Sequence, residues 1–215
     1  MSRPEHSLQA IAGLGLRARK GGAVVVCVAV AEGEPRVVLS TTLETYADGD
    51  RLSLEPYRVA ADMARSPHNE ATAEAAAAVA EGRRRQDRLA AKGLQGIVRQ
   101  LEAQGCTPVV AALLVNRAGW ITDLLGYSLA WPEHVPVAET LAVRDALRFA
   151  SLQCGIELAE LDEKSLPDLA TKTLGVPSTE LDARLKTLGA PIGKPWRKEE
   201  KLACLSAWIA VTRQR

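Results

Sequence analysis

Apolar residues fill every position from Ala23 to Ala31, a nine-residue run between Gly21-Gly22 and Glu32-Gly33-Glu34-Pro35. A run of this length with glycine and proline at its ends predicts a strand covered on both faces. The flanking segments, IAGLGLRAR from Ile11 to Arg19 and RVVLSTTLETY from Arg36 to Tyr46, read as two more strands, and the short connections make the three an antiparallel meander. Other elements must therefore pack on each side of this sheet.

The covering elements follow in sequence. From Ala71 to Gly105 the apolar positions Ala73, Ala76, Ala77 and Ala80, then Ala90, Leu94, Ile97 and Leu101, recur at helical spacing, and Gly105 ends the helix. The apolar face lapses between Gly82 and Asp87, where an interior glycine costs about 1 kcal/mol against alanine, so a kink or break is predicted there. A second apolar strand runs from Pro108 to Val115, a helix from Val137 to Gln153, and a short strand from Ile156 to Asp162, which gives the order β-β-β-α-β-α-β. Two short helices then end alike, in KTLG before Val176-Pro177 and before Ala190-Pro191, each with a glycine cap and a following proline. Ser165 with Asp168, and Thr179 with Asp182, have the spacing of a capping box. Pro195 opens a closing helix that turns Leu202, Leu205, Trp208 and Ile209 inward.

Charge changes the picture only when positions are considered. The 215 residues carry 27 Lys+Arg against 26 Asp+Glu, a net charge of +1, which argues against a strong global field for a polyanion. Yet Arg85, Arg88, Lys92 and Arg99 fall on one side of the long helix beside Arg83 and Arg84, and Arg197, Lys198, Lys201, Arg213 and Arg215 gather near the C-terminal end. Such a stripe can track a phosphate backbone; it can equally be a solvated outer face that Glu81 and Asp87 partly neutralise.

Composition narrows the remaining classes. With 47% hydrophobic and 25% charged residues the chain reads as an ordinary globular protein of one large or two small domains. Aromatics make up only 4%, which leaves few platforms for stacking bases. Cys27, Cys106, Cys154 and Cys204 show no metal-ligand spacing and are expected to be free and structural. The nine-residue apolar run is well short of the ~20 residues that a membrane helix needs, so a cytoplasmic protein without a membrane partner is expected.

One constellation carries candidate chemistry. Pro132-Glu133-His134-Val135-Pro136 leads into a helix with Glu139 and Arg144, so an imidazole, two carboxylates and a guanidinium lie close in the chain. His134 and Glu139 are the candidate catalytic residues, as a general acid/base pair or part of a divalent-metal site. The structural alternative has Pro136 starting the helix, Glu139 complementing its dipole, and Arg144 paired on the surface with Glu139 or Asp145. Gly13-x-Gly15 opens no phosphate loop, since no helix follows it. Trp131 and Trp196 each adjoin a proline; they can flank one cleft or form lids on the core edge.

The order of elements, with the cadence IAGLGLRARKGGAVVV across the first hairpin, resembles the ribonuclease-H-like superfamily, in particular its branch related to the Holliday-junction resolvases. The resemblance implies a single domain over residues 1–215 with its core from about 11 to 211, an α/β fold with a mixed sheet, a three-strand antiparallel meander plus two further strands, and helices on both faces. It also implies phosphodiester hydrolysis by two divalent cations, Mg2+ or Mn2+, held by carboxylates on the first strand, at the end of the fourth and on the closing helix. In this sequence the first-strand Asp falls at Gly15 or, two residues on, at Arg17, and no Asp or Glu occurs from His6 to Ala31. The fourth-strand position falls near Asn116, and Glu199 and Glu200 lie on the closing helix.

Three functions follow from this pattern. The first, and the preferred, is a non-catalytic module that binds DNA, RNA or a protein, with Arg85, Arg88, Lys92, Arg99, Arg197 and Lys198 as its nucleic-acid contacts and no cofactor. The second is a divergent metal-dependent hydrolase with Asn116, Glu139 and Glu200 around Mg2+ or Mn2+. The third is a structural or regulatory protein with a protein partner.

Overall fold

The apolar run forms the second strand of a five-stranded sheet in the computed structural model, which describes residues 10–63, 71–116 and 120–214. Strands β1 (Ala10–Arg19), β2 (Gly22–Ala31) and β3 (Glu34–Glu44) form the antiparallel meander; β4 (Cys106–Val115) and β5 (Glu157–Asp162) add to it in parallel, in the order β3-β2-β1-β4-β5. The helices are α1 (Arg51–Leu54), α2 (Pro56–Met63), α3 (Ala73–Ala103), α4 (Leu124–Ala130), α5 (Val135–Gln153), α6 (Leu166–Leu174), α7 (Ser178–Gly189) and α8 (Lys198–Arg213). The fold is thus the mixed α/β sheet with helices on both faces that the element order predicts. No helix among the described residues is long and apolar enough to cross a membrane.

The double burial of β2 has a simple geometric cause. Alternate side chains of a strand point to opposite faces, so Val24, Val26 and Val28 meet α8 while Ala23, Val25 and Cys27 meet α3 and α5. All four cysteines are free thiols. The face under α8 also holds Leu166, Leu181 and Leu185 from α6 and α7. A third cluster, around Tyr57, Val79, Leu129 and Val135, joins α2 and α4 to the starts of α3 and α5.

Close backbone approach explains the glycines of β1. A Cβ at Gly13 would stand 2.6 Å from the Ala207 carbonyl oxygen, and one at Gly15 would overlap the Ala203 carbonyl. Helix α8 lies directly on this strand, with no room for a side chain between them.

Several local expectations are corrected. Helix α3 is continuous through Gly82 to Asp87, because Gly82 receives Leu52 and Pro56, a Cβ there standing 2.5 Å from the Leu52 carbonyl oxygen. Gln86, buried nearby, donates Nε2 to the Ser53 carbonyl at 2.8 Å. The polar lapse therefore marks where α1 and α2 dock. The KTLG echo also divides: Gly175 is a left-handed cap with φ 67°, whereas Gly189 stays helical beneath the Trp196 indole. Neither capping box forms, since Ser165 Oγ donates to Asp162 and Asp182 pairs with Lys186 and Lys201. The closing helix starts at Lys198, three residues beyond Pro195.

Candidate functional site at the strand ends

Because β1, β4 and β5 run parallel, their C-terminal ends share one edge of the sheet, and α8 delivers its first turn to the same place. Four chain segments thereby bring Arg17, Asn116, Glu163 and Glu199 to the ends of the strands. Arg17 is two residues beyond Gly15, so strand alternation puts it on the α8 face. Its Nε donates to Glu163 Oε2 at 3.2 Å, one Nη to Glu163 Oε1 at 3.4 Å and the other to Glu199 Oε1 at 2.8 Å. A single guanidinium clamps both carboxylates.

The remaining candidate ligands are engaged elsewhere. Asn116 Oδ1 accepts from Arg144 Nη1 at 2.8 Å. Glu200 turns back on its own helix and accepts from the Arg197 backbone N–H at 2.8 Å, which leaves it buried. Glu139 is 1% exposed; its Oε1 accepts from the Arg58 backbone N–H at 2.9 Å and so caps the start of α2. Its Oε2 has no hydrogen-bond partner among the described residues. Burial pushes the Glu139 carboxyl up to about 7, against the opposing pull of the Arg58 and Tyr57 backbone N–H groups.

Two expectations about these residues are corrected. Asn116, Glu139 and Glu200 do not converge on a cation, since α5 and α8, which carry the two glutamates, cover opposite faces of the sheet. Among the described residues no group of three or more His, Cys, Asp or Glu side chains is placed to hold a metal. His134 and Glu139 are not hydrogen-bonded to each other either. His134 Nδ1 is 2.9 Å from the Tyr127 carbonyl oxygen, and its ring stacks on Tyr127 with centroids 3.9 Å apart. Arg144, expected to pair with Glu139 or Asp145 at the surface, is 7% exposed and bonded to Asn116.

The donor set at the strand ends does not fit a divalent cation. Mg2+ demands a near-octahedral shell of oxygens, but Glu163 and Glu199 are held by a side chain of like charge to the ion. A unit charge 4 Å from another costs about 4 kcal/mol at an effective dielectric of 20, and a divalent ion doubles that.

The expected nucleic-acid contacts sort into spent and free cations. Arg85 is tied to Glu81 and Asp50, Arg84 to Glu81, and Arg83 to Asp145. Arg88, Lys92 and Arg99 are exposed along α3 and make no ion pair among the described residues. Arg197 and Lys198 are exposed at the start of α8, on the other side of the sheet. Lys201 pairs with Asp182, and Arg215 lies outside the described residues. Trp196 donates Nε1 to the Leu185 carbonyl as a lid on α7, whereas Trp131, 60% exposed, follows α4 on the opposite face, so the two flank no common cleft.

Glu163 is the participant that sequence reasoning missed. Its signal is a carboxylate one residue past the end of the last parallel strand, where side chains reach the strand-end edge.

No protein-family model and no curated protein matches the chain. Among solved structures, T. thermophilus RuvC in complex with Holliday junction substrate is similar to it with a TM-score of 0.53 and 10% identity, over 95% of this chain and 94% of that one. A Thermus thermophilus RuvC structure is similar with a TM-score of 0.52 and 10% identity, over 94% of this chain and 95% of that one. At this identity the likeness shows the fold, which is ribonuclease-H-like.

Proposed function

We propose that this ribonuclease-H-like domain binds nucleic acid and does not cleave it. The observation that carries this reading is Arg17, a cation on the first strand that neutralises the two carboxylates at the strand ends. Charge-assisted bonds from one planar fork to both are stronger than neutral ones, and the arrangement leaves neither carboxylate to gather cations. Gly15 offers no alternative place for a first-strand carboxylate, because the α8 backbone occupies the space.

Arg88, Lys92 and Arg99 support the binding half of the proposal. They fall at i, i+4 and i+11 on α3, so they share one exposed face and are free to meet phosphates. One of the similar structures is a complex with a four-way DNA junction, which makes branched DNA the first substrate to try.

The test incubates the protein with a four-way junction, duplex DNA and single-stranded RNA in Mg2+ and in Mn2+. The expected result is binding that weakens steeply with salt and no cleavage of any substrate. Cleavage that disappears when Glu163 and Glu199 are replaced would restore the hydrolase. Absence of binding at low salt would leave a protein as the partner.

A further inference from the structure

Between the first turns of α5 and the end of β4 lies a cavity of about 200 Å3, lined by Asn116, Pro136, Val137, Thr140, Leu141 and Arg144. Among the described residues Arg144 is the only charged one in this lining. Its Nη1 donates to Asn116 Oδ1, while its Nε is buried without a hydrogen-bond partner among the described residues. No carboxylate among the described residues forms an ion pair with it; Glu163 and Glu160 act on it only through their longer-range fields.

The distribution of carboxylates around Arg144 is uneven. Arg148, one turn further on α5 and far more exposed, pairs with both Asp145 and Glu160; Asp145 also serves Arg83. Exposed pairs of this kind contribute little to stability. The buried guanidinium, which would gain most from a counter-charge in contact, has none among the described residues. Burial, reinforced by nearby Arg148, pulls Arg144 below its ordinary range, the direction expected of a desolvated cation short of anions.

We propose that this cavity is a phosphate-binding site, with Arg144 as the cationic anchor and Pro136, Val137 and Leu141 as the apolar floor for the body that carries the phosphate. A buried guanidinium that lines a cavity and has no carboxylate in contact among the described residues suits an oxyanion, and the volume suits a phosphate on a small organic group. It is too small for a duplex. The phosphate comes either from a free phosphate ester or from the end of a nucleic-acid strand, the second source resting on the function proposed above.

The experiment measures thermal unfolding and calorimetric binding of the full chain with inorganic phosphate, with glycerol phosphate, and with one oligonucleotide bearing either a 5′-phosphate or a 5′-hydroxyl. Chloride at equal ionic strength is the control. Phosphate at ten times its Kd is expected to raise Tm by about 3–6 °C. Arg144→Met is expected to fold with a Tm no lower than that of the parent, since an apolar side chain replaces an uncompensated buried charge, and to lose the phosphate response. Asn116→Asp sets a carboxylate against the guanidinium and is expected to weaken phosphate binding at least 10-fold while keeping the fold, so it decides the matter if Arg144→Met does not fold. A phosphate response that persists in these variants, or no response of the parent protein to any probe, overturns the proposal. A 5′-phosphate that tightens oligonucleotide binding at least 10-fold identifies strand ends as the source; equal affinities identify the free ester. If neither oligonucleotide binds, the nucleic-acid reading fails while inorganic phosphate still tests the cavity.

Discussion

Arg17 at the end of β1 and Glu199 in the first turn of α8 are joined at 2.8 Å across 182 positions of the chain. Together with Glu163 they lock the strand-end edge of the sheet to the helix that covers it.

Removing the cation is expected to do modest harm, and reversing it to do more. The pairs are partly solvated, so Arg17→Ala should cost about 1 kcal/mol and lower Tm by roughly 2–4 °C. Arg17→Asp brings three carboxylates together and should lower Tm further in the absence of divalent cations. Millimolar Mn2+ should recover part of that loss in Arg17→Asp and none in the parent protein. Thermal unfolding with and without Mn2+ checks both statements.

Glu139 is expected to make stability fall as pH rises. Its carboxyl, pushed up to about 7 in the folded protein, keeps its proton where the unfolded chain has lost one. Between about pH 4.5 and 7 the native state therefore binds more protons than the unfolded state, and stability declines by an amount on the order of 3 kcal/mol. Glu139→Gln, which can still accept from the Arg58 N–H, should abolish this slope and be the more stable form at pH 8. Glu139→Ala loses the cap and leaves a void, at a cost of about 2–3 kcal/mol at pH 5. Urea unfolding at the two pH values distinguishes these outcomes.

Gly15→Ala is expected to be among the most damaging single substitutions in the chain. The added methyl overlaps the Ala203 carbonyl, a backbone atom in the middle of α8 that cannot rotate away. Separating the helix from the strand should cost more than about 3 kcal/mol, read as lost soluble expression or a collapsed unfolding midpoint.

Replacing Arg88, Lys92 and Arg99 together by alanine should weaken DNA binding and reduce the slope of log affinity against log salt by roughly 3, about 0.9 for each phosphate that is no longer neutralised. Arg85→Ala should change that slope far less, since Glu81 and Asp50 already occupy its guanidinium. Fluorescence anisotropy over a series of KCl concentrations provides both values.

The sheet is legible in the sequence because burial on two faces leaves an unbroken apolar run, which short-range pattern alone reveals at Ala23 to Ala31. Helices α2 and α4 are not, because their short apolar stretches become meaningful only against the third cluster. The lapse at Gly82 misleads for a similar reason: it reads as a defect until Leu52 and Pro56 are seen filling it. At the strand ends, the missing acid at Arg17 is visible, but its partner Glu163 is 146 positions away and nothing local identifies it. Sequence proximity offers Arg144 the carboxylates of Glu139 and Asp145, whereas topology gives it Asn116, 28 positions upstream.

The docking of α8 on β1 and β2 has a consequence for how the chain is made. Val24, Val26 and Val28 leave the ribosome early, yet the helix that covers them begins only at Lys198. At 5–20 residues per second, roughly 170 residues of further synthesis leave that face bare for about 10–30 s. Through that interval the meander is an apolar surface awaiting its cover, the kind of surface that makes a partly synthesised chain prone to aggregate.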